Sequence, residues 1–415
     1  MPCRRPNSSP ACARSSTGTR RNPMTAESAK AFEALEGQAR DLVALFGEAG
    51  YEFVAPAIIQ PAGVFLDQIG EQIRARSYVF TDLAGEELCL RPDLTVPVSR
   101  LYLERHPQAD AEARYCYNGP AFRFQPLGPS VMHPREFRQA GVECFGAPDK
   151  AAADVEVLLL AVQAVRSAGL SDYRIGFGDI ALFYALIDAL DLPERWRLKL
   201  RHYFWRPPSF HALVDQLAKG TRIEPDRILT ALGEKIAGKS QEEAEDIVSG
   251  YLEAEGIPLA GNRTLREIAT RLLDRAADLL ADTLPREVAT VIEYYLGVSA
   301  PPREAVDKIA MIARGAGLDI DEALSTVVSR FDLLEQQGVD LTNATFATEF
   351  GRKLEYYSGL VFQIGAPGMD ETEPVAGGGR YDNLLTALGA PTPVPAVGTA
   401  IHTERLLAAV GRASS

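Results

Sequence analysis

The sequence predicts an α+β fold in which a sheet is flanked by helices and interrupted by a helical insertion. Three observations support this class. Short β-rich runs bounded by glycine and proline alternate with helical segments in the first part of the chain. From about 183 to 325, Leu, Ala, Glu and Arg recur at helical spacing and strand signals are few. Strand-like runs return after this stretch, which indicates that the helices are inserted within the sheet domain.

The first elements follow from local periodicity. Apolar residues at helical spacing predict a helix over 27–49, and Gly50 is a natural end for it. The β-rich run over 51–59 contains Pro56, which places this strand at a sheet edge or a bulge. The next predicted elements are a hairpin over 78–91 with Gly85 in its turn, a helix over 94–105, strands over 113–125 and 135–145, a helix over 150–168 and a strand over 173–177.

The sequence of the last part of the chain predicts two strands followed by two helices. Strands are expected over 345–350 and 360–364. The glycines at 377–379 are expected to form a turn that enters a helix near 381–388, and a last helix is expected over about 400–410. We therefore divide the chain into an N-terminal extension over 1–23, a first core part over 24–182, a helical insertion over 183–325 and a second core part over 326–415.

Composition excludes several classes of protein. No run of about 18 apolar residues occurs, so we expect no membrane span and no membrane partner. The five cysteines are scattered and the five histidines are dispersed. We therefore expect no disulfide framework, no metal site and a reducing, cytoplasmic location. The net charge of −13 is a poor general match for a polyanionic nucleic acid, although a local basic groove is compatible with it.

Residues 1–23 differ in composition from the remainder. They contain arginines but no acidic residue, and they are rich in serine and proline. This composition fits an organellar transit peptide, and it also fits a disordered extension before a chain that starts at Met24. No apolar run of the kind that a secretory signal needs is present. We favour the disordered extension.

A polar row on one predicted strand is the first candidate for a binding site. Because alternate residues of a strand share a face, Gln139, Gly141 and Glu143 point one way and the intervening residues face a helix. A glycine between an amide and a carboxylate leaves room for a ligand to lie on the sheet. From these residues alone, a solvent-facing strand surface is the alternative.

Two further polar pairs accompany this row. Arg123 and Gln125 lie two residues apart on the partner strand, where a guanidinium suits a carboxylate or a phosphate. A surface ion pair is the alternative for Arg123. Asp93 and Thr95 follow Pro92 at the end of a strand, and this pattern is also common at the start of a helix.

Six segments occur in order along the chain. They are Leu90-Arg91-Pro92-Asp93-Leu94-Thr95, Phe122-Arg123-Phe124-Gln125, Glu136-Phe137-Arg138-Gln139-Ala140-Gly141-Val142-Glu143, Arg352-Lys353-Leu354-Glu355-Tyr356-Tyr357, Gly377-Gly378-Gly379-Arg380-Tyr381-Asp382, and Val397-Gly398-Thr399-Ala400-Ile401-His402-Thr403-Glu404-Arg405-Leu406. Together they resemble the catalytic core of histidyl-tRNA synthetases. The resemblance implies a class II aminoacyl-tRNA synthetase-like antiparallel sheet flanked by helices.

The resemblance also implies a site for free histidine. In the family, the acid and threonine meet the amino group of the substrate, and the glutamine and glutamate also contact the substrate histidine. The matching arginines hold phosphate and carboxylate groups, and the paired tyrosines line the ring pocket. The predicted histidine-binding residues are Asp93, Thr95, Arg123, Gln139, Glu143, Arg352, Tyr356 and Tyr357.

The nucleotide half departs from the family pattern. Gln125 stands where the family has a glutamate, and His402 stands where a small residue lets the nucleotide pack against the backbone. Arg405, which would stack on adenine, remains. Only nine residues follow Leu406, so we expect no anticodon-binding domain. The resemblance therefore implies a pocket that binds histidine in a chain that no longer charges tRNA.

These features resemble the synthetase-like regulatory subunit of ATP phosphoribosyltransferase, the enzyme of the first step of L-histidine biosynthesis. That resemblance implies a non-catalytic chain without a cofactor, which activates a short-form catalytic subunit and mediates feedback inhibition by L-histidine. It also implies a homodimer within a hetero-oligomer and no tRNA partner.

Two alternatives belong to other classes of protein. One is a histidyl-tRNA synthetase-like enzyme that activates histidine with ATP, which amino-acid-dependent pyrophosphate exchange would reveal. The other is a metabolite-binding module with a different partner, which a pull-down from the native cell would reveal.

Overall fold

The computed structural model describes most of the chain. The described residues are 29–66, 75–126, 128–130, 132–219, 232, 235–257, 264–280, 285–350, 356–370 and 373–413. The predicted extension over 1–23 and the predicted site residue Arg352 lie outside them. None of the described helices combines the length and the apolar character that a membrane span requires.

Twelve strands occur in the described part of the chain, and nine of them form the main sheet. The strands are β1 (Glu52–Phe53), β2 (Ile59–Pro61), β3 (Tyr78–Thr81), β4 (Glu87–Leu90), β5 (Ala113–Phe122), β6 (Glu136–Phe145), β7 (Arg174–Asp179), β8 (Ser299–Ala300), β9 (Thr345–Ala347), β10 (Leu360–Gly365), β11 (Ala376–Arg380) and β12 (Ala396–His402). The main sheet has the order β1-β5-β6-β12-β11-β10-β7-β9-β8. Only the β1–β5 and β7–β9 pairs in it are parallel, so the predicted antiparallel sheet is confirmed.

Fourteen helices accompany the strands in the same described residues. They are α1 (Ala29–Glu48), α2 (Ala62–Leu66), α3 (Thr95–Arg105), α4 (Lys150–Ser167), α5 (Ile180–Ala189), α6 (Glu194–Phe204), α7 (Pro207–Lys219), α8 (Gln241–Ala254), α9 (Leu265–Leu280), α10 (Arg286–Leu296), α11 (Pro302–Gly315), α12 (Asp321–Gln336), α13 (Leu384–Ala387) and α14 (Thr403–Ala413). The α+β class predicted from the sequence is confirmed.

Helix α4 covers one face of the main sheet. The Asp149 side chain starts the helix by accepting a hydrogen bond from the Ala152 amide at 3.0 Å, which satisfies one of the free N–H groups of the first turn. Ala140, Val142 and Cys144 of β6 are buried in the same apolar cluster as this helix. The face of β6 that was expected to pack on a helix is therefore the one that does.

Beneath the sheet, two arginines and two aspartates form a buried ion network. Arg330 of α12 lies 2.7 Å from Asp154 of α4 and donates to Asp179 at 2.9 Å. Arg380, the last residue of β11, lies 2.7 Å from the other Asp154 oxygen. Because each charge has an opposite partner, their burial is compensated, and the network ties α4 and α12 to the strand β11.

Three sequence predictions need correction. The run over 51–59 is not one strand, since only the short strands β1 and β2 form on either side of Pro56, which has no amide hydrogen to donate. The glycines at 377–379 do not form a turn but lie inside strand β11. The last helix does not begin near 400, because residues up to His402 complete strand β12 and α14 begins at Thr403.

The stretch over 183–325 is mostly helical where it is described, with the two-residue strand β8 as its exception. Helices α8 and α9 have a small apolar cluster of their own, centred on Ala244, Val248, Ala269 and Leu272. In contrast, α10 contributes Ile292 and Tyr295 to the main core. The division of the chain into core and insertion stays a prediction.

Candidate ligand pocket over the central strands

A cavity of about 770 Å³ lies over the central strands of the main sheet. Its lining includes residues of β6, β11 and β12, and it brings together most of the predicted site. The predicted site residues that line it are Asp93, Thr95, Arg123, Gln139, Tyr356 and Tyr357. Four segments that are remote in sequence thus meet at one cavity, as the resemblance led us to expect.

Glycines on adjacent strands make the cavity floor possible. A Cβ on Gly378 would overlap the carbonyl oxygen of Gly398, and a Cβ on Gly398 would overlap the Glu143 carboxylate. Both positions therefore need glycine so that backbone and side chains can approach closely. These glycines act through strand packing, not through a turn.

Glu143 does not line the cavity, contrary to the simplest expectation from its strand position. Its side chain has no solvent exposure and lies beneath Gly398 and Tyr381. The Tyr117 hydroxyl donates to Glu143 Oε1 at 3.1 Å, and the Tyr381 hydroxyl donates to Oε2. Burial raises the pKa of Glu143 to about 8, although hydrogen bonds from Tyr381, Thr95 and Tyr117 oppose the shift.

Gly141 does not leave room for a ligand either. A Cβ there would overlap the carbonyl oxygen of Thr399 and the hydroxyl of Tyr117. The space that the sequence suggested for a ligand is filled by Tyr117, which is fully buried. A sequence pattern could not reveal this, because Tyr117 belongs to the neighbouring strand β5 and is paired with Gly141 only by the register.

We use the name acidic end for the part of the cavity lined by Asp93, Thr95, Tyr356, Tyr357 and Tyr381. Asp93 is only 4% exposed, and its Oδ2 has no hydrogen-bond partner among the described residues. Burial is the main cause that raises the pKa of Asp93, and the nearby Arg123 and Arg91 oppose the shift. A buried carboxylate oxygen without a partner is costly unless a ligand supplies one.

The tyrosines of the acidic end pack against one another. The rings of Tyr356 and Tyr357 lie 4.9 Å apart between centroids, and the Tyr356 ring meets Tyr381 edge-on at 5.7 Å. Burial raises the pKa of both Tyr356 and Tyr357, so these phenols stay neutral hydrogen-bond donors. Aromatic walls beside buried carboxyl groups suit a small ligand with a cationic group and a planar ring.

We use the name basic end for the part lined by Arg76, Gln125, His133, His402 and Arg405. Here the chain supplies its own hydrogen-bond partners. Arg76 donates to the Gln125 side-chain oxygen at 2.6 Å, and the Gln125 amide nitrogen donates to the Pro134 carbonyl at 3.0 Å. Gln125 thus uses both ends of its amide within the protein.

Arg405 joins two loops across the basic end. Its guanidinium donates twice to the Met132 carbonyl, at 3.2 and 3.1 Å, and once to the Pro374 carbonyl at 3.1 Å. His133 of the first loop lies 3.4 Å from the Glu373 carboxylate of the second. Burial, together with the nearby Arg123, lowers the pKa of Arg405 to about 10.

His402 packs on an aromatic ring of the adjacent strand. Its imidazole stacks on Phe137, with ring centroids 5.0 Å apart and planes at 28°. The Arg123 guanidinium lies over the same phenyl ring at 5.0 Å and donates to the Pro92 carbonyl at 2.8 Å. Burial and the charge of Arg405 hold the pKa of His402 well below its usual range, so this imidazole is neutral.

Gln139 lies beside His402 at the boundary between the two ends, because the register pairs these residues across β6 and β12. Its side-chain oxygen is buried and has no partner among the described residues. Together with Asp93 Oδ2, this oxygen gives the pocket two unused acceptors for a ligand with N–H groups. Within the described part of the chain, no group of His, Cys, Asp or Glu is placed to hold a metal ion.

Sequence reasoning missed several residues of the pocket. Tyr381 was part of a recognised motif, so its phenol could have been included. Phe137 likewise lies in a recognised segment. Arg76 carries no local signal that points to a site, and it reaches the cavity because the loop before β3 lies against Phe124 and Gln125. Tyr117 carries none either, and the β5–β6 register places it beneath the cavity beside Glu143.

Three curated relatives decide the family. ATP phosphoribosyltransferase regulatory subunits of Chelativorans sp. and Brucella anthropi are each 35% identical, over 89% and 87% of this chain and 96% and 93% of their own lengths. That of Agrobacterium fabrum is 36% identical over 85% of this chain and 92% of its own. The chain belongs to the family of ATP phosphoribosyltransferase regulatory subunits.

This regulatory-subunit family shares its fold with synthetases. The Histidyl-tRNA synthetase family model matches residues 26–282 and 244–406. A Bacillus halodurans structure titled ATP phosphoribosyltransferase regulatory subunit/histidyl-tRNA synthetase aligns over 96% of this chain and 84% of its own, with a TM-score of 0.63 and 19% identity. Histidyl-tRNA synthetase from Nostoc sp. aligns over 96% and 77%, with a TM-score of 0.58 and 15% identity. These structures confirm the class II synthetase-like fold.

Proposed function

We propose that the chain is a non-catalytic subunit that activates a short-form catalytic subunit of ATP phosphoribosyltransferase and makes it sensitive to L-histidine. One observation carries this proposal. Asp93 Oδ2 at the acidic end and the Gln139 oxygen at the boundary have no partner among the described residues, whereas the basic end is occupied by the chain itself. A protein built in this way binds the amino acid and does not seat ATP beside it.

Histidine would lie with its ammonium group near Asp93 and Thr95 and its ring against the tyrosine wall. The Asp93 carboxylate supplies a charge-assisted acceptor, and the Gln139 oxygen supplies a second acceptor at the boundary. Arg123, whose charge acts on Asp93, could meet the carboxylate of the ligand. Arg352 remains one of the proposed histidine-binding residues on the basis of its sequence motif alone.

Feedback would work by linkage. A ligand that binds one conformation of the complex more tightly shifts the population toward that conformation. We propose that L-histidine shifts the population in this way in a hetero-oligomer that contains a homodimer of this chain. The proposed complex lies in the cytoplasm and needs no tRNA, cofactor or membrane. We propose that β1 and β2 form part of the homodimer interface, because Phe53 and Ile59 on these strands are about half exposed, at 50% and 51%.

The experiment is an activity assay of the catalytic subunit with and without this chain, across L-histidine concentrations. The proposal expects higher activity when the chain is present and inhibition by histidine that requires it. If the catalytic subunit has the same activity and the same histidine response alone, the proposal is wrong.

A second candidate is a histidyl-tRNA synthetase-like enzyme that activates histidine with ATP. The observation in its favour is the retention of Arg123 and Arg405 at the cavity, together with the synthetase family match. The engagement of the Arg405 guanidinium by the Met132 and Pro374 carbonyls argues against it. The third candidate is a metabolite-binding module with a different partner. Recovery of another stable partner from the native cell, without a phosphoribosyltransferase, would favour it.

A further inference from the structure

One carboxyl group lines the acidic end, and a second contacts Tyr381 and Thr95 of that end from below. Asp93 lines the cavity, and Glu143 lies beneath it without solvent exposure. Burial is the largest cause that disfavours ionisation of Glu143, and the charge of Asp93 is a smaller one. Arg91, a further cation near Asp93, donates to the carbonyls of Pro120 and Pro56.

Among the described residues, the groups that act on Glu143 are hydroxyls and one acid. Tyr117 of β5 and Tyr381 after β11 donate to its two oxygens. Asp93 acts on it from the segment before α3, and Thr95 at the start of that helix donates to it. The phenols of Tyr356 and Tyr357 lie within range of its charge. Burial is the main cause that disfavours a charge on Glu143, and an ionised Asp93 adds to it.

The geometry also lets Glu143 carry a proton. The Tyr117 hydroxyl lies 3.1 Å from Glu143 Oε1 and 3.5 Å from the Thr399 carbonyl. If Glu143 is protonated, it can donate to the Tyr117 oxygen while the Tyr117 hydroxyl turns toward Thr399. No buried hydrogen-bonding group then loses its partner, so the protonated form is structurally compatible.

We propose that the acidic end holds one proton on Glu143, and that a ligand ammonium bound at Asp93 displaces it. The ammonium takes over the role of the proton as counter-charge to the carboxyl pair, and the proton leaves to solvent. This proposal rests on the proposed binding of an amino acid in this pocket. It adds that the pocket binds a cationic amine in exchange for a proton, so affinity depends on pH.

The test is calorimetric titration of the whole chain with L-histidine at pH 7.0 in two buffers of different ionisation enthalpy. The difference in apparent heat gives the number of protons released. We expect close to one proton per site for the wild type, and an apparent affinity that rises about fivefold between pH 7 and pH 8, as follows for a group that titrates near pH 8.

The matched control is E143Q, which keeps the shape of the side chain and cannot ionise. Protons that come from free histidine itself contribute equally to both proteins, so the difference between them isolates Glu143. We expect that difference to be close to one proton. Equal release by the wild type and a binding-competent E143Q would overturn the assignment.

A second measurement covers the case in which E143Q does not bind. Infrared difference spectroscopy of the wild type should show loss of a protonated-carboxyl band when histidine is added. Histidine binding without this loss would overturn the inference and leave the proposed function intact. Absence of any histidine binding would instead contradict the proposed function itself.

Discussion

The two ends of the cavity differ in how their polar groups are satisfied. At the acidic end, Asp93 Oδ2 is buried without a partner among the described residues. At the basic end, Arg405 and Gln125 are engaged by the backbone carbonyls of Met132, Pro374 and Pro134. The acidic end is therefore organised to receive a ligand, whereas the basic end is organised to hold the protein's own loops.

This difference supports the proposal that a synthetase-like fold has kept one binding site and lost another. Unpartnered acceptors lower the cost of binding, since the protein already bears the desolvation penalty that a ligand relieves. Donors already engaged must first give up their partners before they can bind a phosphate.

The first prediction concerns the ions beneath the acidic end. D154N would leave Arg330 and Arg380 buried without their shared carboxylate, and we expect the free energy of unfolding to fall by about 3–5 kcal/mol. Chemical denaturation measures this loss. The control is D307N, which changes an exposed aspartate on α11 and should have no comparable effect. A loss below about 1 kcal/mol would show that the ion network does not stabilise the sheet that forms the cavity floor.

The second prediction concerns Asp93 itself. D93N removes the charge that would meet the ligand ammonium, so we expect L-histidine affinity to fall by about 2–3 kcal/mol, or roughly 30- to 150-fold. Calorimetric titration measures this change, and circular dichroism checks that the fold is retained. D110N, which alters an exposed aspartate, serves as the control. Unchanged affinity in D93N would place the ligand elsewhere.

The third prediction concerns stability and pH. Because the pKa of Glu143 is raised in the folded protein, from an ordinary 4.5 to about 8, the folded state binds a proton that the unfolded state releases. The contribution of this bound proton to the free energy of unfolding is therefore full below pH 4.5. It is lost as the pH rises toward 8. Between pH 5 and pH 7 we expect the wild type to lose on the order of 2 kcal/mol relative to E143Q.

Thermal unfolding of both proteins across this pH range gives the comparison. Parallel pH profiles for the wild type and E143Q would show that Glu143 ionises normally. The acidic end would then lack the proton that distinguishes it from the basic end.

The fourth prediction concerns the basic end. R405M removes three hydrogen bonds to two loops but leaves no buried charge behind, so we expect a loss of only about 1 kcal/mol in unfolding free energy. Histidine affinity should remain within about twofold of the wild type, because Arg405 does not belong to the acidic end. R314M, on an exposed face of α11, is the control. A large loss of histidine affinity in R405M would show that the two ends form a single binding site.

Much of the fold was predictable because the relevant signals are local. The apolar periodicity of α4 and the alternation along β6 identify their buried faces. The prediction of a turn at the glycines 377–379 was wrong, because the same sequence that permits a turn also permits a strand whose neighbours approach closely. His402 was placed in a helix since nothing local marks the end of β12 there.

The site was predictable only where a motif named the residue. Asp93, Thr95, Gln139 and Tyr356 line one cavity as expected. The position of Glu143 below the floor could not be predicted, because it depends on Tyr117 from another strand and on the register with Gly398. Pairing of this kind is a property of the assembled sheet and leaves no local trace in the sequence.

The most direct measurement is histidine-dependent exchange of pyrophosphate into ATP by the purified chain, alongside a calorimetric histidine titration. The account predicts that histidine binds and that no exchange exceeds the blank, because His402, Phe137 and Arg405 occupy the nucleotide half. Exchange at an ordinary synthetase rate would contradict it, since ATP would then have to sit beside the amino acid in this pocket.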